Sequence, residues 1–185
     1  GLGVKNVFVQ PLGVDLQTFH PDARDPGLRA ELGIDENTHL LIFAGRGSKE
    51  KNLPVLLECM KRLGRRFHLL LVGSSMPAAV PDNVTVVDEF CPAAQVARLM
   101  ASADALLHAG DQETFGLVIL EAMASGIPVV AAAAGAFEEI VTRQCGLLCT
   151  PNDPQAMANA VHELFNQGCA ALGQQARRHV ERHYS

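Results

Sequence analysis

Residues 110–135 read GDQETFGLVILEAMASGIPVVAAAAG, and this stretch decides how the chain folds. Glu121 is the single charged residue between positions 114 and 137. Gly126 and Pro128 interrupt the apolar run, so neither half reaches the roughly 20 apolar residues that a membrane-spanning helix needs. The stretch therefore predicts a buried helix over 115–124 and a buried strand over 128–132, and no transmembrane segment.

Short apolar runs alternate with amphipathic stretches on both sides of this region. The runs HLLIFA at 39–44 and FHLLLV at 67–72 are typical of parallel strands that helices cover on both faces. The alternation predicts a doubly wound, Rossmann-like α/β domain with a parallel sheet of about six strands. We expect strands over 39–44, 67–72, 83–87, 104–108, 128–132 and 146–149, and helices over 53–63, 93–101, 115–124, 138–141, 154–165 and 169–183.

The first 38 residues do not follow this alternation. A short strand is suggested at 7–9, and 21–26 has the composition of a loop. We interpret 1–38 as a leading segment that packs on a domain formed by 39–185. The chain does not begin with Met, so we expect it to be a piece of a longer polypeptide.

Composition limits the partners of the chain. Among 185 residues, 15 Lys and Arg oppose 20 Asp and Glu, which gives a net charge of −5. This charge gives no basic field for nucleic acid, so any phosphate must be held by a few placed groups. Five irregularly spaced cysteines favour free thiols in the cytoplasm, and the seven histidines form no metal-binding pattern.

The turn after the first predicted strand is a candidate anion site. It reads GRGSKEKN at 45–52, so Gly45, Arg46 and Lys51 precede a helix whose N-terminal amides favour an anion. Glu50 replaces the third glycine of a dinucleotide fingerprint, and no Walker A spacing is present. The alternative interpretation is a solvated basic turn.

Two carboxylates frame a second candidate site. Glu113 precedes the apolar helix and Glu121 lies within it, about 12 Å further along the helix axis. They could bind hydroxyls at the two ends of an elongated ligand, with free amides of the first helical turn between them. The alternatives are a helix N-terminal acid for Glu113 and a solvent-facing residue for Glu121.

Two further features lie close to these motifs in the sequence. The loop at 133–139 (AAGAFEE) either lets backbone approach a ligand closely or is a tight connection. His108 ends the fourth predicted strand, where we expect a structural hydrogen bond rather than a catalytic base.

The motif order resembles the C-terminal half of a GT-B fold glycosyltransferase, in the retaining "group 1" family (family 4). The resemblance rests on G-R-x4-K-N at 45–52, on ETFGLVILEAMASGIPVVA at 113–131 and on the glycine loop with Glu139. The segment PLGVD at 11–15, with Phe19 and Pro21, also resembles the leading part of that domain.

The resemblance implies a nucleotide diphosphate sugar as donor, of UDP or GDP type, with no cofactor and no metal. Arg46 and Lys51 would hold the diphosphate and Glu113 would face the sugar hydroxyls, as the catalytic group of residues. Glu121 would accept hydrogen bonds from the ribose, and the base would lie near Phe90. The implied donor-binding residues are Gly13, Gly45, Phe90, Thr114, Phe115, Gly116, Leu117 and Glu121. Configuration would be retained without a protein nucleophile.

Departures from the family pattern leave the donor open. His108 and Ala109 stand where Pro-Ser is frequent, Gly135-Ala136-Phe137-Glu138-Glu139 replaces Gly-Gly-x-Pro-Glu, and Glu89 replaces a glycine. The sugar and the base (uracil, guanine or adenine) therefore stay unassigned.

The resemblance also bears on partners and on rival functions. The acceptor, a glycan, lipid or small molecule, would bind an N-terminal domain that this chain lacks. We therefore expect weak donor binding and little transfer by the chain alone, and a cytoplasmic full-length enzyme or one peripheral at the inner membrane face. The alternatives are a non-catalytic nucleotide-sugar-binding module and a GT-B epimerase or phosphorylase relative.

Overall fold

The computed structural model describes residues 13–185. Short 3-10 helices occupy Pro21–Ala23, Lys49–Lys51 and Gly64–Arg66. The longer elements, in chain order, are α1 (Leu28–Glu31), β1 (His39–Ala44), α2 (Leu53–Leu63), β2 (Phe67–Val72), β3 (Val84–Val87), α3 (Ala93–Ser102), β4 (Ala105–His108), α4 (Leu117–Ala124), β5 (Val129–Ala132), α5 (Phe137–Ile140), β6 (Gly146–Cys149), α6 (Pro154–Gln167) and α7 (Cys169–His183).

The six described strands form one parallel sheet in the order β3-β2-β1-β4-β5-β6. Strand order reverses between β1 and β4, where Leu41 pairs with Ala105. In doubly wound sheets the loops leave in opposite directions at such a switch point, and a crevice opens beyond the carboxyl ends of the two strands. The predicted fold class is therefore confirmed, and the topology places a crevice beside Gly45 and His108.

Each strand contributes side chains to two separate cores. Along β1, Leu40 and Ile42 join one core with buried residues of α3, α4 and α7, whereas Leu41 and Phe43 join the other with residues of α2 and α6. Successive side chains of a strand point to opposite faces, so a continuous apolar run fills both cores.

Helix α4 is buried on nearly all sides, as its composition predicts. Ile119, Leu120, Ala122, Met123 and Ala124 are all buried, and Glu121 between them is partly buried. The helix begins at Leu117, two residues later than the sequence predicts, because Gly116 adopts a left-handed conformation with φ of 67°. No helix in the described range is long and apolar enough to cross a bilayer.

Residues 13–38 pack against the sheet domain. Phe19 and Leu28 are buried in the same core as α4, and Asp25 forms an ion pair of 2.6 Å with Arg98 of α3. Helix α1 and the 3-10 helix within 21–26 were not predicted, because the run PDARDPG at 21–27 has the composition of a loop. The strand suggested at 7–9 lies outside the described residues.

Candidate functional site

A cleft of about 500 Å³ opens beyond the carboxyl ends of β1, β2 and β4. Its charged lining consists of Arg46, Lys51, Glu113 and Glu121, the four charged residues that the sequence singled out. We call it the carboxyl-end cleft. The remaining lining residues are Ala44, Gly45, Val72, Gly73, Ser74, Phe90, Cys91, Val96, Phe115, Leu117 and Val118.

Lys51 and Arg46 bring positive charge to the end of β1. Lys51 ends the 3-10 helix Lys49–Lys51, and its side chain is only 20% exposed. Arg46 is exposed, and within residues 13–185 it forms no ion pair or side-chain hydrogen bond. One cation is therefore held in place and the other is free to meet an anion.

Lys51 forms an ion pair with Glu113. The Lys51 Nζ donates to Glu113 Oε2 at 2.5 Å, and the Glu113 side chain is 19% exposed. The sequence predicted both residues for the site but not this contact between them. The lysine expected at a diphosphate thus neutralises the carboxylate expected at a sugar.

The glycine loop at 133–139 supports the backbone of Glu113. Ala136 donates its N–H to the Glu113 carbonyl at 3.2 Å, and a Cβ on Gly135 would lie 2.4 Å from that same oxygen. Only a residue without a side chain permits this close approach. Of the two interpretations left open by the sequence, the described contacts favour a tight connection that places Glu113.

His108 lies buried behind Glu113. Its Nδ1 accepts the N–H of Gly110 at 3.0 Å, which is the structural hydrogen bond that the sequence predicts. Burial above all, together with the positive charge of Lys51, lowers the pKa of His108 to about 3. The imidazole is therefore neutral at physiological pH.

The start of α4 presents free amides. Within residues 13–185, the N–H groups of Phe115, Gly116 and Leu117 donate no hydrogen bond, as expected for a first helical turn. Gly116 adopts a left-handed conformation with φ of 67°, which residues with a side chain rarely adopt, and a Cβ there would also displace Ile140 Cδ1, 2.7 Å away. These amides and the helix dipole favour an anion at this end of α4.

Glu121 is a carboxylate without a protein partner. It lines the cleft from α4, and no donor among the described residues reaches its side chain. Burial raises the pKa of Glu121 to about 7. A ligand hydroxyl would supply the missing hydrogen bond and favour the ionised form.

Part of the lining of the carboxyl-end cleft is apolar. Phe90 is 88% exposed, and Cys91, Val96 and Val118 lie nearby on the lining. An exposed phenylalanine at the mouth of a cleft offers a face for a planar ring.

The structure brings most predicted site residues into this cleft, but not all of them. Gly45, Arg46, Lys51, Phe90, Glu113, Phe115, Leu117 and Glu121 line it. Thr114 is exposed and Gly116 is buried, and neither is among the lining residues. Gly13 lies elsewhere, beside Tyr184, whose carbonyl accepts the N–H of Val14 at 2.9 Å. Ligand contacts of these three residues stay predictions.

Sequence reasoning missed the contribution of β2 and α3. Val72, Gly73 and Ser74 at the end of β2, and Val96 on α3, complete the lining. The contribution of β2 could have been predicted, because β1 and β2 are consecutive parallel strands and their carboxyl ends lie side by side in the sheet. The position of Val96 could not be predicted, because nothing in the sequence of α3 indicates which element this residue packs against.

Comparison with known proteins agrees with the geometry. A family model described as "Glycosyl transferases group 1" matches residues 38–167. One relative is the GDP-mannose-dependent alpha-(1-6)-phosphatidylinositol dimannoside mannosyltransferase of Mycobacterium tuberculosis (strain ATCC 25177 / H37Ra). It is 34% identical over an alignment of 193 residues, which covers 97% of this chain and 49% of that protein. The chain thus spans about half the length of this relative.

Solved structures show the same likeness. Sucrose-phosphate synthase from Thermosynechococcus elongatus superposes with a TM-score of 0.83 at 28% identity, covering 95% of this chain and 48% of that one. Anabaena HepE, solved in complex with UDP-glucose, superposes with a TM-score of 0.79 at 25% identity, covering 94% of this chain and 52% of the HepE chain. Motifs, sheet order and relatives agree that this chain belongs to the group 1 glycosyltransferases and has the fold of one half of a GT-B enzyme.

Proposed function

We propose that this chain is the donor-binding half of a retaining glycosyltransferase that moves a hexose from a nucleotide diphosphate sugar to an acceptor. The observation that carries the proposal is the carboxyl-end cleft, where Arg46, Lys51, Glu113 and Glu121 meet at the switch point of the sheet. Two cations beside free helix amides suit a diphosphate, and two carboxylates suit hydroxyl groups.

Each charged residue has a role in this proposal. Arg46 and Lys51 bind the diphosphate and stabilise the charge that grows on it as the sugar leaves, so this step needs no metal. Glu113 accepts hydrogen bonds from the sugar and Glu121 accepts them from the ribose. The acceptor attacks from the face that the diphosphate leaves, which retains configuration without a protein nucleophile.

The comparisons support a uridine or guanosine diphosphate sugar. The mycobacterial relative is named for GDP-mannose, and the Anabaena neighbour was solved with UDP-glucose. The exposed Phe90 and the apolar wall beside it would take either base by stacking and packing. The acceptor, whether glycan, lipid or small molecule, would bind outside this chain.

Thermal unfolding with millimolar UDP, GDP or ADP tests the donor site. A ligand that binds only the folded chain raises the unfolding temperature, by an amount that grows with the logarithm of the ligand concentration divided by its dissociation constant. We expect stabilisation by UDP or GDP that is reduced in Glu121→Ala. If no nucleotide raised the unfolding temperature, the proposed donor site would be wrong.

A transferase and a passive nucleotide-sugar-binding module differ in one measurement. The chain joined to the N-terminal half of its protein should release labelled sugar from the matching donor, and Lys51→Ala should abolish this release. Donor binding without any release or transfer would favour the non-catalytic module.

A further inference from the structure

His108 has one ring nitrogen that the protein leaves without a partner. The side chain is fully buried, and Nδ1 accepts the Gly110 N–H at 3.0 Å. A neutral imidazole whose Nδ1 accepts must carry its proton on Nε2. Within residues 13–185, no atom forms a hydrogen bond with His108 Nε2. A buried donor left in this way is costly and rare, so a partner for it is expected.

The Glu113 carboxylate lies just beyond reach of this donor. Glu113 Oε2 is 4.0 Å from His108 Nε2, about 1 Å longer than a hydrogen bond. The same oxygen accepts from Lys51 Nζ at 2.5 Å. Lys51 therefore holds the carboxylate at a short distance from a second donor, the Nε2–H of His108.

The imidazole is fixed and the carboxylate is the group that can move. The His108 ring lies 5.4 Å from Phe43 and 4.9 Å from Phe137, measured between ring centroids. A Cβ on Gly110 would lie 2.6 Å from His108 Cε1, which shows how closely the following loop covers the ring. The Glu113 side chain lines the cleft and can turn about its own single bonds once Lys51 leaves its carboxylate.

We propose that His108 is a positioning residue that takes over the Glu113 carboxylate when a bound diphosphate draws Lys51 away. The inference rests on the proposed function. Diphosphate oxygens compete with Glu113 for the Lys51 ammonium, and a movement of about 1 Å then brings Glu113 Oε2 to the Nε2–H donor. Because the imidazole is neutral, the carboxylate keeps its charge and presents its other oxygen, Oε1, to the hydroxyls of the sugar.

The test compares a nucleotide sugar with its nucleotide diphosphate, since only the former carries the sugar that Glu113 faces. The dissociation constants of GDP, GDP-mannose, UDP and UDP-glucose are measured by calorimetry on the 185-residue chain. In His108→Phe, which keeps a ring and loses the donor, we expect both kinds of ligand to bind more weakly, and the sugar nucleotide more so, because it alone contacts the positioned carboxylate. The ratio of the sugar-nucleotide constant to the diphosphate constant should rise about tenfold, the value of a hydrogen bond to a charged group.

Two further variants distinguish positioning from packing. His108→Gln places an amide N–H near the position of Nε2, so its ratio of the two dissociation constants should lie close to that of wild type. His108→Asn can keep the bond to Gly110 but is too short to reach Glu113, so it should behave like His108→Phe and replaces that variant if the phenylalanine does not fold. In a Glu113→Ala background, His108→Phe should have no further effect on the ratio.

Equal weakening of diphosphate and sugar nucleotide in His108→Phe, or an unchanged ratio, would overturn the inference and leave the proposed function standing. An effect that persists in the Glu113→Ala background would also overturn it. A wild-type chain that binds none of the four ligands would instead overturn the proposed function itself.

Discussion

Two clefts of similar size lie at opposite ends of the sheet, and they differ in whether the protein supplies donors to the acids that line them. The carboxyl-end cleft measures about 500 Å³ and a second one about 440 Å³. The second, here the amino-end cleft, lies before β4 and β5. It is lined by Pro21, Arg24, Ala101, Ala103, Asp104, Ser125, Gly126, Ile127, Pro128, Cys169, Ala170, Gln174, Arg177 and Arg178.

In the amino-end cleft, the lining acid is already bound by the protein. Asp104 accepts from Arg29 at 2.8 Å and from the Leu40 N–H at 2.7 Å. Arg177 donates to the carbonyls of Phe19 and Ala124 at 2.7 and 2.6 Å. These contacts join the leading segment, β1 and α7, so they serve the fold.

In the carboxyl-end cleft, a base and an acid are left without protein partners. Arg46 and Glu121 have none within residues 13–185, and Lys51 and Glu113 have only each other. Cleft volume alone would not tell the two ends apart. The lining acids do, because Asp104 at the amino end has two protein donors and Glu121 has none among the described residues. By contrast, an arginine without a side-chain partner in that range lines each cleft, Arg24 in one and Arg46 in the other. A half-buried carboxylate without a partner is costly unless a ligand supplies one.

The largest effect expected from this comparison is on nucleotide affinity. Lys51→Ala and Arg46→Ala should each weaken GDP or UDP binding by about 10- to 100-fold, the value of a charge-assisted hydrogen bond to phosphate. Lys51→Ala should weaken nucleotide binding more than Arg46→Ala, because it also leaves the Glu113 carboxylate unpaired, where it repels the diphosphate. Arg24→Ala and Arg178→Ala at the amino end are the matched controls. Calorimetry that showed equal losses at both ends would remove the distinction drawn between the clefts.

A second, smaller effect concerns pH. Ribose hydroxyls favour the ionised form of Glu121, whose pKa is raised to about 7 by burial. Affinity for a nucleotide sugar should therefore rise about tenfold from pH 6 to pH 8, as the fraction of ionised Glu121 rises. A nucleotide sugar is the right probe because its diphosphate keeps a constant charge over this range. Glu121→Gln should flatten the profile, and a wild-type profile as flat as that of the variant would contradict the assignment of Glu121.

Ionisation of Glu121 should raise ligand affinity but lower the stability of the folded chain. Because the folded pKa of Glu121 lies above the ordinary value of 4.5, the folded chain binds more protons than the unfolded chain between those values. The contribution of Glu121 to the free energy of unfolding is therefore largest below pH 4.5 and is lost as pH rises towards 7. Denaturant titrations of wild type and Glu121→Gln across this range measure the difference, which should widen as pH rises.

The smallest effect on nucleotide binding is expected from one of two matched glycine substitutions, one beside each cleft. A Cβ on Gly47 would lie 2.1 Å from the Ser75 carbonyl oxygen beside the carboxyl-end cleft, and a Cβ on Gly173 would lie 2.1 Å from the Gly126 carbonyl oxygen at the amino end. Both alanine variants should lower the unfolding temperature by several degrees, because backbone must shift to accept a methyl group. Only Gly47→Ala should also weaken nucleotide binding, by a few-fold, when measured well below both unfolding temperatures. A loss of binding in Gly173→Ala instead would place the ligand at the other end.

Much of the fold follows from the sequence because long apolar runs and glycine turns are local signals. The strands 39–44, 67–72 and 146–149 match the structure residue for residue, since each is a continuous apolar run ended by a turn. Helix α1 could not be predicted, because four residues that depend on burial of Leu28 in the core carry no periodicity of their own.

The site was predictable as a set of charges but not as a set of contacts. Glu121 stands out as the single charge in an apolar stretch, and Arg46, Lys51 and Glu113 stand out as charged residues that follow the predicted strands 39–44 and 104–108. The ion pair of Lys51 with Glu113 depends on the separation of two loops 62 residues apart, which no local pattern encodes. The unpartnered Nε2 of His108 depends in the same way on where Glu113 lies.

The most direct test of a nucleotide-sugar site is to map where the ligand binds. Amide chemical shifts of the labelled chain are followed by NMR during titration with UDP-glucose and with GDP-mannose. We predict that at least one of them shifts amides at 45–51, 73–74 and 113–118, and leaves those at 101–104 and 174–178 unchanged. Shifts confined to the amino-end residues, or none with either ligand at millimolar concentration, would contradict the assignment of the carboxyl-end cleft as the donor site.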